Sequence, residues 1–169
     1  MPRSWLAKTP VAVLLSLAWL AACGSPAPPP SPYGAGSVLP SASLEDQFGA
    51  VHSLDESLRL VLFSRDMEGG ALLREVLAQH PDALARLQAV YVADISGMPS
   101  LIANTMAIPR MRGRPYPTLL DRDGGVTAAF PSEPGKATLL RLEQRRIQAV
   151  LHVDSVSQLR DALGIPPGG

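Results

Sequence analysis

Sulfur chemistry is the first to consider, and this chain of 169 residues holds a single cysteine, Cys23. One thiol cannot form an internal disulfide, a C-x-x-C redox pair or a thiolate zinc cluster. What it can do alone is act as a nucleophile toward an alkylating group. His52, His80 and His152 share no i, i+4 spacing and no cysteine or carboxylate frame. They are therefore read as surface or hydrogen-bonded core residues, and no metal is expected.

Carboxylates come next. Asp66 and Glu68 flank the pair Gly69-Gly70 at the expected start of a helix. Such a start can offer backbone N–H groups to an anion, or one of the carboxylates can cap the helix and complement its dipole. Capping is the favoured reading, because a resident carboxylate competes with any external anion. Asp121-Arg122-Asp123-Gly124 has the opening of a calcium loop, but Val126-Thr127-Ala128 supplies none of the later oxygen ligands, so a β-turn is expected. Arg110, Arg112 and Arg114 alternate, and Arg145-Arg146 stand at a hairpin tip. Together they would suit phosphate, lipid headgroups or an acidic partner; separately they are solvated loop residues. No Gly-x-Gly-x-x-Gly, P-loop or Gly-x-Ser-x-Gly occurs, so no cofactor, nucleotide or serine hydrolysis is expected.

The surroundings of Cys23 give its chemistry a direction. Arg3 and Lys8 precede the apolar run Val11–Leu20, which is too short to span a bilayer as a stable helix, and Leu20-Ala21-Ala22-Cys23 follows. This segment has the form of a secretory signal. Leu-Ala-Ala-Cys resembles the lipobox of bacterial lipoproteins, in which the thiol receives a diacylglyceryl group and the signal, here residues 1–22, is removed. That resemblance implies lipidation at Cys23 and a membrane attachment through the lipid. Gly24 after the cysteine resembles lipoproteins sorted to the outer membrane, which implies a cell-envelope location facing the periplasm. Removal of residues 1–22 takes Arg3 and Lys8 from the 15 basic residues and nothing from the 15 acidic ones. The remaining slight acid excess does not suit nucleic acid. Residues 23–42 are rich in Pro, Gly and Ser and read as a tether.

The elements that must position the remaining residues lie in 43–165. Leu58–Phe63 and Ala89–Ala93 are nearly continuous apolar runs, as expected of buried parallel strands. Between them Leu72, Leu73, Val76 and Leu77 mark one face of a helix ending near His80-Pro81. A second helix is expected from Pro99 to a stop at Pro109. Leu119-Leu120, the turn at 121–125 and Val126–Phe130 form a short hairpin or irregular excursion. Thr138–Leu142 and Ile147–Val153 form an antiparallel hairpin, and Ser155–Gln158 is a capping box before the helix of Val156, Leu159 and Leu163, which Gly164 ends.

The order β-α-β-α, an excursion, then β-β-α is that of an α/β protein with a mixed central sheet flanked by helices, expected on both of its faces. It resembles the thioredoxin fold, and Leu44-Glu45-Asp46-Gln47-Phe48-Gly49 with Val51–Leu54 resembles the first segment of redoxin and peroxiredoxin domains. In that family C-x-x-C follows the strand ending at Phe63, and the register places Glu68-Gly69-Gly70-Ala71 there. Both sulfurs are missing, so the resemblance implies a redox-inert domain. The family's cis-proline position falls on Lys136 or Ala137, with Pro134 just upstream and Pro117 a second candidate.

Three functions fit these residues. The favoured one is a lipid-anchored binding or scaffolding module of the envelope with a protein partner. The alternatives are a cysteine-independent enzyme using Asp66, Glu68 and nearby arginines, and a chaperone-like peptide groove. The enzyme reading requires those groups to converge in a concavity.

Overall fold

The computed structural model describes residues 31–166. Cys23, the signal segment and the spacer up to residue 30 lie outside the described residues. Strands β1 (Ala42–Asp46), β2 (Val51–Leu54), β3 (Leu60–Ser64), β4 (Ala89–Asp94), β5 (Leu119–Asp121), β6 (Ala137–Glu143) and β7 (Arg146–Val153) form one sheet. Its order is β2-β1-β5-β4-β3-β6-β7. The helices are α1 (Met67–Gln79), α2 (Ala83–Arg86), α3 (Ser100–Ile102), α4 (Ile108–Met111) and α5 (Val156–Ala162).

The apolar runs behave as their composition requires. Every residue of β3 is buried, and β3 pairs in parallel with β4 and antiparallel with β6. A strand covered on both faces and both edges has no polar positions to spare. The β6–β7 hairpin closes through Gln144 and Arg145, both with positive φ (47° and 63°), the backbone that a two-residue turn of matching twist needs. At α5, Ser155 accepts a hydrogen bond from the Gln158 N–H, and Gly164 at φ +64° lets the Ile165 N–H reach back to the Arg160 carbonyl.

The structure details some of these expectations and corrects others. The redoxin-like segment at Leu44–Leu54 is a hairpin, β1–β2, and joins the sheet through β5. The three residues of β5 are a full member of the sheet, parallel to β4. Of the two readings of Val126–Phe130 the irregular excursion holds: it is a loop closed by Ala128 N–H to Gly124 O and Phe130 N–H to Thr127 O. Pro109 does not stop its helix. A π-helical turn at Ala103–Ala107 links α3 to α4, and the Ile108 N–H bonds the Ala103 carbonyl. The extra residue in that turn shifts the preceding carbonyls, so the helix passes the proline that would clash with an unbroken α-helical ladder.

Further corrections concern the layers and the start of the domain. Leu73, Val76, Leu77, Ala83, Leu84, Ala103, Ile108, Leu159 and Leu163 all pack with Leu60, Leu62, Tyr91 and Leu120 on one side of the sheet. The helices therefore cover one face, not both. Strands β3, β4 and β5 step across the sheet in one direction, and successive right-handed crossovers made in one direction fall on the same side. The opposite face, with Val61, Phe63, Val92, Leu119 and Leu140, is covered by Leu39, Phe130 and the half-buried Tyr33. The chain from Tyr33 onward is thus part of the folded domain, although its composition suggested a tether to 42. Leu39 is buried, Gly36 and Ser37 bond to Ile147, and the Leu39 N–H bonds the Arg145 carbonyl.

Asp46 fixes the β1–β2 turn. Its carboxylate is buried, accepts the N–H groups of Phe48 (2.8 Å) and Ala50 (3.0 Å), and lies 2.9 Å from His52 Nε2. Burial pushes this carboxyl upward, but His52 and the two N–H groups outweigh it and hold the pKa below its ordinary value. A depressed pKa stabilises the fold above the unfolded-state value near 4 and loses that contribution as pH falls through the lower folded value. Asp46→Asn should therefore cost about 1–2 kcal/mol at pH 7. In urea denaturation its gap from wild type should close below about pH 4; a gap independent of pH would refute the assignment.

Candidate functional site

The parallel strands β3, β4 and β5 end at Ser64, Asp94 and Asp121, and the loops that follow meet at one rim of the sheet. The Ile95 N–H bonds the Asp121 carbonyl there, and Gly124 lies against Ser96. Asp66 caps α1 from an extended backbone (φ −124°, ψ 175°). One carboxylate oxygen accepts the Gly69 N–H at 2.8 Å, and the other accepts the Gly135 N–H at 2.7 Å. A single side chain thus fills the helix start and ties it to the loop before β6. Glu68 is exposed on the first turn, where its charge complements the helix dipole.

The two glycines have different duties. A Cβ on Gly69 would lie 2.3 Å from the Lys136 carbonyl oxygen, so only glycine lets α1 approach the start of β6. Gly70 meets nothing nearer than 3.4 Å, the Ser64 and Tyr91 hydroxyls. Those hydroxyls pair at 2.9 Å below the helix. Burial raises the pKa of Tyr91, and it also raises that of Tyr116.

Arg65 was not singled out by sequence, yet it organises this rim. Its guanidinium donates to Asp94 (3.2 Å), the Ser132 hydroxyl (3.2 Å) and the Thr127 carbonyl, and stands 5.3 Å from the Phe63 ring centre. The only sequence signal is its place directly after a buried strand. Asp121 is consumed in the same way. Its carboxylate accepts the N–H groups of Gly124, Val126 and Thr127, which is a turn cap and not a calcium loop. Among the described residues no group of three metal-ligating side chains comes together. His52 and His152 have protein partners, Asp46 and Thr138, and His80 Nε2 lies 3.3 Å from Arg160.

The structure does not gather the expected arginines or carboxylates into one site. Arg112 donates to the Gln47 carbonyl and Arg114 to Thr118, whereas Arg145 and Arg146 donate to Leu39 and Gly36. Asp66 is saturated by backbone while Glu68 faces solvent, so the pair does not form an acid–base couple. Gln47, also unforeseen, holds the 116–118 segment through both ends of its amide. No peptide bond among the described residues is cis, so Pro117 and Pro134 are both trans.

The backbone order resembles several solved structures. The peroxidoxin BcpB of Mycobacterium tuberculosis superposes with a TM-score of 0.53 at 19% identity, over 78% of this chain and 94% of that one. A protein assigned as the thiol:disulfide interchange protein DsbE of Chlorobium tepidum gives 0.54 at 15% identity, over 79% and 94%. The fold is thioredoxin-like. One assigned as a protein disulfide isomerase from Bacteroides thetaiotaomicron gives 0.52 at 12%, over 79% and 90%. No family model and no curated protein matches the sequence. Identities this low carry the thioredoxin-like architecture and not the activities of those proteins.

On that architecture the start of α1 reads Asp66-Met67-Glu68-Gly69 and contains no sulfur nucleophile. The arrangement can hold a loop and present the exposed Met67, but it has no group placed to attack a disulfide or a peroxide. Asp66→Ala should lower stability by about 1–2 kcal/mol through the lost cap, read as a shift in urea midpoint. Gly69→Ala should be more damaging than this, whereas Gly70→Ala should be neutral or stabilise by up to about 1 kcal/mol. Equal effects at the two glycines would contradict the contact with Lys136.

Proposed function

We propose that this protein is an envelope lipoprotein, held to the outer membrane through Cys23 and facing the periplasm, whose thioredoxin-like domain serves as a redox-inactive binding or scaffolding module. The observation that carries the reading is the occupant of the helix start. The Asp66 carboxylate takes the N–H groups of Gly69 and Gly135, in the place where a thiolate would need those donors free. The one cysteine of the sequence stands outside the domain, at the end of a signal-like segment.

Lipidation accounts for the position of Cys23 and for its isolation. Each buried CH₂ of an acyl chain adds about 0.8 kcal/mol, so several chains anchor stably. A partner protein of the envelope is the binding role that the exposed, non-catalytic surface best suits. Convergence of Asp66 and Glu68, the requirement of an enzymatic reading, is absent among the described residues.

Mass spectrometry of the mature N-terminus should find an acylated Cys23, and radiolabelled palmitate should enter wild type but not Cys23→Ser. Purified protein should neither reduce insulin nor consume peroxide above background. A free Cys23 thiol with activity abolished by alkylation would overturn the reading.

A further inference from the structure

The helix built from α3, the π turn and α4 carries an apolar face that the fold leaves bare. Leu101 is 73% exposed, Ile102 45% and Met106 50%. In an unbroken α-helix Met106 would turn away from Leu101. The inserted residue of the π turn returns it to the strip beneath Leu101 and Ile102. The same stretch is one-sided in charge. From Ile95 to Leu120 the chain has no Asp or Glu, and it carries Arg110, Arg112 and Arg114. Arg110 is exposed one turn beyond Met106.

The tether returns to this rim. The Tyr33 N–H bonds the Ala129 carbonyl, in the loop whose Thr127 carbonyl accepts from Arg65. That loop is fastened to the bare helix by Arg122, which donates to Asn104 at 3.1 Å. The 81%-exposed Met67 lies two residues after Arg65. The chain between Cys23 and Tyr33 spans at most about 35 Å when fully extended. A domain of this size has a radius of gyration of about 14 Å, so this reach is comparable with its own width. A lipid on Cys23 would hold the rim near the bilayer at a millimolar effective concentration, where weak contacts become occupied.

We infer that the Leu101–Ile102–Met106 face, with Arg110 beside it, docks on an anionic phospholipid surface and sets the domain's orientation on its membrane. This rests on the lipid anchor proposed above. Large apolar side chains bordered by arginines suit the boundary between headgroups and acyl chains better than they suit water.

The test uses the mature, lipidated protein, in which acylation blocks Cys23 and an added cysteine is the only reactive thiol. An environment-sensitive fluorophore is placed at Leu101→Cys, at Met106→Cys and, as a control on β2, at Val51→Cys. Each protein is reconstituted on phosphatidylethanolamine–phosphatidylglycerol vesicles containing nitroxide lipid. Quenching at 101 and 106 should exceed that at 51 at least threefold, and should fall when phosphatidylcholine replaces the anionic lipid. Adding Ile102→Asp and Arg110→Glu should reduce the signal at 106 to the control level while the vesicles still float the protein. Flotation with equal quenching at all three positions overturns the docking and leaves the anchor standing. Protein that does not float and bears no acyl group on Cys23 overturns both. Shielding at 101 that grows with protein concentration in the absence of vesicles identifies a second copy as the occupant, and overturns the lipid assignment.

Discussion

Three parallel strands laid down in one direction govern much of this structure. Because β3, β4 and β5 advance the same way, their crossovers share a face, and the helices accumulate there. The other face is left with Val61, Phe63, Val92 and Leu140 and no helix to cover them. Leaving those side chains in water would forfeit about 1.5–3 kcal/mol for each one. The chain covers them with what lies before and after the sheet's centre: the Tyr33–Leu39 segment and the loop ending at Phe130. The tilted contact of Tyr33 with Phe130 and the edge-on contact of Phe130 with Phe63 join those two covers into one layer.

The same geometry determines what stands at the rim. Loops that follow three parallel strands converge, and their backbone N–H groups need acceptors. Here carboxylates supply them: Asp66 for Gly69 and Gly135, Asp94 for Ser96, Asp121 for Gly124, Val126 and Thr127. Arg65 then balances part of this negative charge and fastens one loop to another. A rim satisfied from within has few donors left for a small anionic ligand.

Much of the architecture was legible because burial leaves a plain signature. β3 and β4 are covered on both faces, so their sequences are nearly all apolar, and α1 shows its buried side through Leu73, Val76 and Leu77. β1 and β2 were not legible as strands, since only Leu44 and Leu54 mark their apolar side and Asp46 is buried as an ion. β5 is too short to show any period. The glycines of residues 33–39, between Pro32 and Pro40, hid a segment whose few apolar residues are needed by the uncovered face. At the rim, the cap at Asp66 could be read from residue type and position. The roles of Arg65 and Gln47 could not, because both depend on partners more than sixty residues distant or brought near only by the sheet.

Tyr33–Leu39 is at once the last stretch of the chain leading from Cys23 and the lid over half the core. Any tension along that chain is delivered first to the Tyr33 bond to Ala129, and then to backbone bonds near β7, Gly36 to Ile147 and Leu39 to Arg145. Bonds loaded one after another give way in sequence, like a zip, rather than all together. Peeling them would bare Phe130 and Val61 while α1 and the parallel strands stayed intact. Tension on the chain before Tyr33 would thus be converted into the appearance of a fresh oily surface on an otherwise folded body.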